Sequence, residues 1–246
     1  MKTASPRRSS KSNDIARRNG EDAVIAGLYC VVSQQSSGLE MGAKTWMLLY
    51  SEGNAADILR SNPVLDRGAT TGLVERLFGL QVRPLEKDGD LSHTSPRDEE
   101  IVAACFPGLA VVAAGEFCLD YPSQLDPAFI EAFSPGTLYL HAMHSVVDFF
   151  GFAIWKNGTL QRSLSLSPDS GILDDIGPRL PFEVPFWAGE HPAVDPDDED
   201  DSYPFVFHPL ELGEAALKEF FGYQLEGMID PSLIEPEEIP LMRFTR

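Results

Sequence analysis

Asn157-Gly158 constrains this chain more than any other pair of residues. It stands between two β-prone runs, 149–156 and 159–166. Both central positions of a type I′ turn need φ above zero, and Asn followed by Gly meets that need at low steric cost. The pattern predicts an antiparallel hairpin. Along its second arm Leu160, Arg162, Leu164 and Leu166 alternate with Gln161, Ser163, Ser165 and Ser167. One face is therefore expected in the core, the other polar or lining something.

Other segments follow from local rules. Residues 45–50, 101–106, 109–114, 137–143 and 146–155 are apolar and β-prone, and Pro107-Gly108 marks a turn between the second and third. Asn54 is placed to cap a helix over 55–60, and Asp126-Pro127 to start one over 127–133. Pro63 opens a helical stretch with Leu65, Ala69, Leu73 and Leu77 along one side, ended by Gly79. Pro209 starts a last helix that Gly222 stops. Residues 82–85 read as an edge strand, 88–100 as a loop, and the proline-dense 178–209 as largely irregular. The tail from Met228 is expected to wrap the surface. Without strict β-α-β alternation, the fold class is α+β: a mixed or largely antiparallel sheet with a central Asn-Gly hairpin and several helices packed on it.

Charge divides the chain. Residues 1–40 hold six basic and four acidic side chains, leaving 13 basic and 34 acidic for the rest, within a formal net charge of −19. Residues 1–40 read as a disordered, non-core leader and 41–246 as a single α+β domain, with Met41 a natural start. Residues 23–32 are apolar, but Glu21 and Asp22 stand where a signal peptide carries positive charge. The acidic body should repel nucleic acid and anionic membrane, and no apolar run reaches the ~18 residues of a membrane span. Three cysteines without a CxxC spacing fit a reducing compartment.

The chemistry-bearing residues admit paired readings. His141, His144 and Asp148 sit at i, i+3 and i+7, so a helix would place them on one face, fit for a metal. A strand would turn His141 and His144 to opposite faces, and the flanking residues favour a strand. Cys105 with His144 and Asp148 is a candidate nucleophile–base–orienter set, against a plain buried thiol. Ser167, Asp169 and Ser170 form either an anion-binding turn or a simple Asx-type turn. Trp187 and His191 either line a pocket or pin an irregular segment to the core. The acidic run Asp195, Asp197, Asp198, Glu199, Asp200 and Asp201 lacks the ligand pattern of an EF-hand and reads as a solvated loop or a docking point for a basic partner.

The stretches M-G-A-K-T-W-M (41–47), C-F-P-G-L (105–109), L-H-A-M-H-S-V-V-D-F-F (140–150), R-S-L-S-L-S-P-D-S-G-I (162–172), P-F-W-A-G-E-H-P (185–192) and F-H-P-L-E-L-G (207–213) resemble an uncharacterised actinobacterial family. The resemblance covers nearly all of 41–246. It implies a cytoplasmic setting and carries no activity or catalytic residues with it. The leading expectation is a non-catalytic binding or regulatory domain contacting a protein or small-molecule partner, with no cofactor. The alternative is a metal-assisted hydrolase holding a divalent ion on His141, His144 and Asp148.

Overall fold

Strands that read as unbroken apolar runs are buried on both faces, and that requirement organises the structure. The computed structural model describes residues 42–97, 99–194, 203–228 and 230–246. Ten strands form one sheet: β1 Lys44–Ser51, β2 Arg83–Pro84, β3 Gly89–Asp90, β4 Glu100–Phe106, β5 Leu109–Ala113, β6 Thr137–His144, β7 Phe149–Lys156, β8 Thr159–Ser167, β9 Gly171–Ile176 and β10 Pro240–Thr245. The spatial order is β2-β10-β4-β5-β1-β6-β7-β8-β9, with β3 also against β10, and every pairing is antiparallel.

One face packs beneath α2 Arg67–Phe78 and the region of α3 Pro127–Ala132. Its core gathers Leu48, Ala103, Val112, Leu140 and Ala153 against Leu73, Val74, Phe117 and Phe133. The other face packs beneath α1 Ala55–Arg60, α4 Val184–Trp187 and α5 Pro209–Phe221. There Met47, Leu49, Val111 and Met143 meet Leu59, Leu217 and Phe221, and Phe150, Phe152, Leu164 and Leu166 meet Phe186, Leu212 and Ala216. The helix caps follow the side-chain chemistry: Asn54 accepts from Asp57 N–H, Asp66 from Ala69 N–H and Asp126 from Ala128 N–H. The second helix thus starts at Arg67 rather than at Pro63, because Asp66 supplies the cap.

Asn157 and Gly158 link β7 to β8 with φ 48° and 76°. The pair lies toward the β9 edge, whereas β1 occupies the middle of the sheet. A bulge corrects the expected alternation: Ile154 faces Arg162 but Trp155 faces Leu160, so Gln161 is the extra residue. Leu160 consequently packs with the α2-side cluster, while Leu164 and Leu166 pack beneath α5. The serine side of β8 is buried too. Ser163 donates to Asp174 (2.7 Å), Ser165 to the Asp120 carbonyl (2.6 Å), and the Ser123 N–H donates to Asp174 (3.0 Å).

The tail does not simply wrap the surface. Pro240–Thr245 pairs with β4 on one side and with β2 and β3 on the other, with Leu241 and Phe244 fully buried. Proline is tolerated as the first residue of a strand, which is where Pro240 stands. The loop expected over 88–100 likewise holds the short β3.

Two buried polar groups are tied to α5, one beneath it and one on it. His141 Nε2–H donates to the Gly213 carbonyl (3.1 Å), and burial lowers the imidazole from its ordinary 6.5 to about 4. A Cβ on Gly213 would lie 2.7 Å from Met143 Sδ, so glycine permits this close helix–sheet approach. Glu214 accepts from the N–H groups of Leu225 (2.8 Å) and Glu226 (3.1 Å), and burial raises its carboxyl from 4.5 to about 7.

At the β9 edge, Arg162 is fully buried. It donates to both oxygens of the equally buried Glu183 (3.0 and 2.7 Å), to Asp175 (2.5 Å) and to the carbonyls of Ile176 (3.1 Å) and Gly177 (3.2 Å). This web ties β8, β9 and the proline-dense segment together.

Arg162→Met should cost about 3–5 kcal/mol in urea unfolding by stranding Glu183, and adding Glu183→Leu should restore most of it. A single-variant loss no larger than an average surface substitution would contradict this account. The two titrating groups act in opposite directions. His141 binds fewer protons folded than unfolded, so its contribution is lost as pH falls from 6.5 toward 4. Glu214 binds more protons folded, so its contribution is lost as pH rises from 4.5 toward 7. Thermal unfolding of His141→Phe should therefore gain on the parent below pH 6, and Glu214→Gln should gain above it.

Candidate functional site

The extended backbone of β6 separates the two imidazoles. His141 points to the α5 side, whereas His144 lies on the opposite face, stacked on Trp46 at 6.0 Å, with its Nδ1 accepting the Val146 N–H. Asp148, with φ 47°, occupies the β6–β7 turn, and its carboxylate lies 3.5 Å from His208 Nε2. His208 Nδ1 meanwhile accepts the Leu210 N–H as the cap of α5, so both ring nitrogens are engaged. Tyr203 stacks on the same ring at 5.6 Å. Burial, with Asp148 and Glu211 nearby, pushes its phenol up to about 12. Sequence reasoning did not single out His208 as the partner of Asp148. Its one local signal is its position before the helix-opening Pro209. Among the described residues, no three His, Cys, Asp or Glu side chains are grouped to hold a metal ion.

Cys105 is half-buried in β4, and burial pushes its thiol up. In register it aligns with Ala110, Tyr50 and Leu138, which places it three strands away from β6. His144 is six residues farther along, about 20 Å at ~3.3 Å per residue. The thiol, imidazole and carboxylate of that candidate set do not meet. Ser167, Asp169 and Ser170 form the β8–β9 turn, where Ser167 Oγ accepts the Ser170 N–H. Trp187 packs edge-on to Phe207 at 4.9 Å beneath the Arg179 guanidinium, and His191 stacks on Phe186 at 4.2 Å. Phe186 also packs edge-on to Phe207, so these contacts hold the segment against Phe207, just ahead of α5. The acidic run 195–201 and the leader 1–40 lie outside the described residues.

A cleft of about 880 Å³ opens where α2 and the α3–β6 link part over the ends of β1, β4 and β5. Its α2 wall presents Ala69, Gly72, Leu73 and Arg76, and its sheet wall Cys105 and Ala110. Phe133, Ser134, Pro135 and Gly136 close the far side, where the Tyr50 hydroxyl donates to the Pro135 carbonyl (2.7 Å). Small residues create the space: a Cβ on Gly72 would meet nothing within 4 Å. A second cleft of about 510 Å³ runs past Val64 to Arg67 and shares Ala69, Cys105 and Phe106 with the first. The charged lining of the larger cleft is Arg76 and Glu52. Among the described residues neither side chain makes an ion pair or hydrogen bond with another. The sequence signal for this wall was the small pair Ala69 and Gly72, one helical turn apart beside Leu73 and Arg76.

No helix among the described residues is long and apolar enough to cross a membrane. No curated protein and no solved structure matches the chain. A family model matches residues 45–244, from the start of β1 to the end of β10. On that match the chain belongs to a family of unknown function, DUF6928.

Proposed function

We propose that this domain is a non-catalytic binding module that holds a small ligand in the cleft between α2 and the α3–β6 link. The carrying observation is the cleft itself, whose volume of about 880 Å³ falls in the range of ligand pockets. Its lining is more apolar than polar and includes two charged side chains, Arg76 and Glu52, a mixture that ligand sites commonly show. Gly72 adds support. A glycine inside a helix costs about 0.5–1 kcal/mol relative to alanine, yet no neighbour within 4 Å of the would-be Cβ requires it. An occupant approaching the helix backbone would.

The metal-assisted alternative has less support, because an extended β6 turns His141 and His144 apart and Asp148 sits by His208. Zinc, manganese or iron content of the purified protein should be unchanged by a His141→Ala/His144→Ala pair. Stoichiometric metal lost on that substitution would revive the hydrolase reading.

A fragment screen by protein-observed NMR should give hits that perturb Leu73, Cys105 and Ala110. Gly72→Leu should abolish them without loss of fold, since its side chain projects into open space. Gly72→Ala should raise stability by about 0.5–1 kcal/mol. A screen without hits at this cleft, or hits indifferent to Gly72→Leu, would remove the proposal.

A further inference from the structure

We infer that the occupant of this cleft is a short apolar peptide with free termini, its carboxylate at Arg76 and its ammonium at Glu52. The inference rests on the binding reading above and adds the chemical class of the ligand. Charge complementarity carries it. In a chain of net charge −19, cations are readily neutralised by neighbours. Arg60, Arg67, Arg243 and Arg246 each pair with a carboxylate, on Asp57, Asp88, Glu100 and Glu116. Arg76, like Arg83, Lys87 and Lys156, has no carboxylate partner among the described residues, and of these four it is the one that lines the cleft.

Glu52 lines the same space, its carboxylate 3.7 Å from the Cβ position of Gly108, and it does not reach Arg76. A ligand bearing only a carboxylate would meet Glu52 unfavourably, and one bearing only an ammonium would meet Arg76. A zwitterion satisfies both groups and leaves the net charge of the site unchanged. The lining also includes Leu73, Ala110 and Phe133, which suits an apolar body. Size favours a peptide over a single amino acid. A pocket in the range of roughly 300–1,000 Å³ takes a drug-sized molecule. An extended tripeptide spans about 10 Å at ~3.3 Å per residue, so its two end charges can engage two separate groups of the lining.

The probe is the tripeptide Ala-Leu-Ala, with its N-acetyl and C-amide forms, titrated by NMR against the full chain, Glu52→Gln, Arg76→Gln and Gly72→Leu. Both charged residues are surface side chains, so these variants keep the fold. The free tripeptide should bind the parent and fail to bind Gly72→Leu. N-acetylation should weaken binding about two- to fivefold in the parent and leave it unchanged in Glu52→Gln. Amidation should weaken it similarly in the parent and not in Arg76→Gln. Absence of tripeptide binding, or capping losses that persist in both charge variants, overturns the inference. If uncharged fragments still bind in a Gly72-dependent way, the binding reading survives and only the peptide assignment fails.

Discussion

Burial of both sheet faces is the constraint on which the rest of this structure depends. An antiparallel sheet open to water on one side shows alternating apolar and polar residues. Here β1, β4 and β5 show Leu, Met, Val, Ala and Cys without alternation, and their described residues sit between helical layers. Any layer that covers such a sheet must approach it closely. Gly213 allows that approach for α5, and the unbranched Met143 fills the contact beneath it. The cleft is where this coverage stops. The small side chains of Ala69, Gly72 and Ala110 leave the end of one face without a lid.

Covering both faces also puts polar residues where water cannot reach them, and each then needs a partner. Ser163 and Ser165 find Asp174 and the Asp120 carbonyl, which converts an apparently polar strand face into a second buried seam. Arg162 spreads its donors over two carboxylates and three carbonyls, which ties an irregular, proline-dense segment to the sheet edge. His141 finds Gly213. His141, one of the candidate metal ligands, thus helps to hold α5 onto the sheet.

Much of the local architecture was legible from nearest-neighbour rules. Asn54, Asp126 and Gly222 mark helix ends because capping is a matter of a few adjacent residues. Pro107-Gly108 separates β4 from β5 for the same kind of reason. Features that depend on a distant partner were not legible. The bulge at Gln161 reverses Leu160 relative to Leu164, and alternation alone cannot announce an extra residue. The strand at Pro240–Thr245 follows a proline- and glutamate-rich stretch and gains its pairing from segments more than 130 residues earlier. His208 meets Asp148 across 60 residues of chain.

The amino-acid sequence by itself determined the α+β character, the β-rich centre, the helix caps and the sharp division of charge. These follow from propensity, φ requirements and composition, all of which act over a few residues. Tertiary structure alone decided which histidine meets which carboxylate, which strand face is wet and where a cleft remains. Those outcomes depend on the strand order and on how far two helices diverge over a shared sheet. Both are set by long-range packing that no short window of residues encodes.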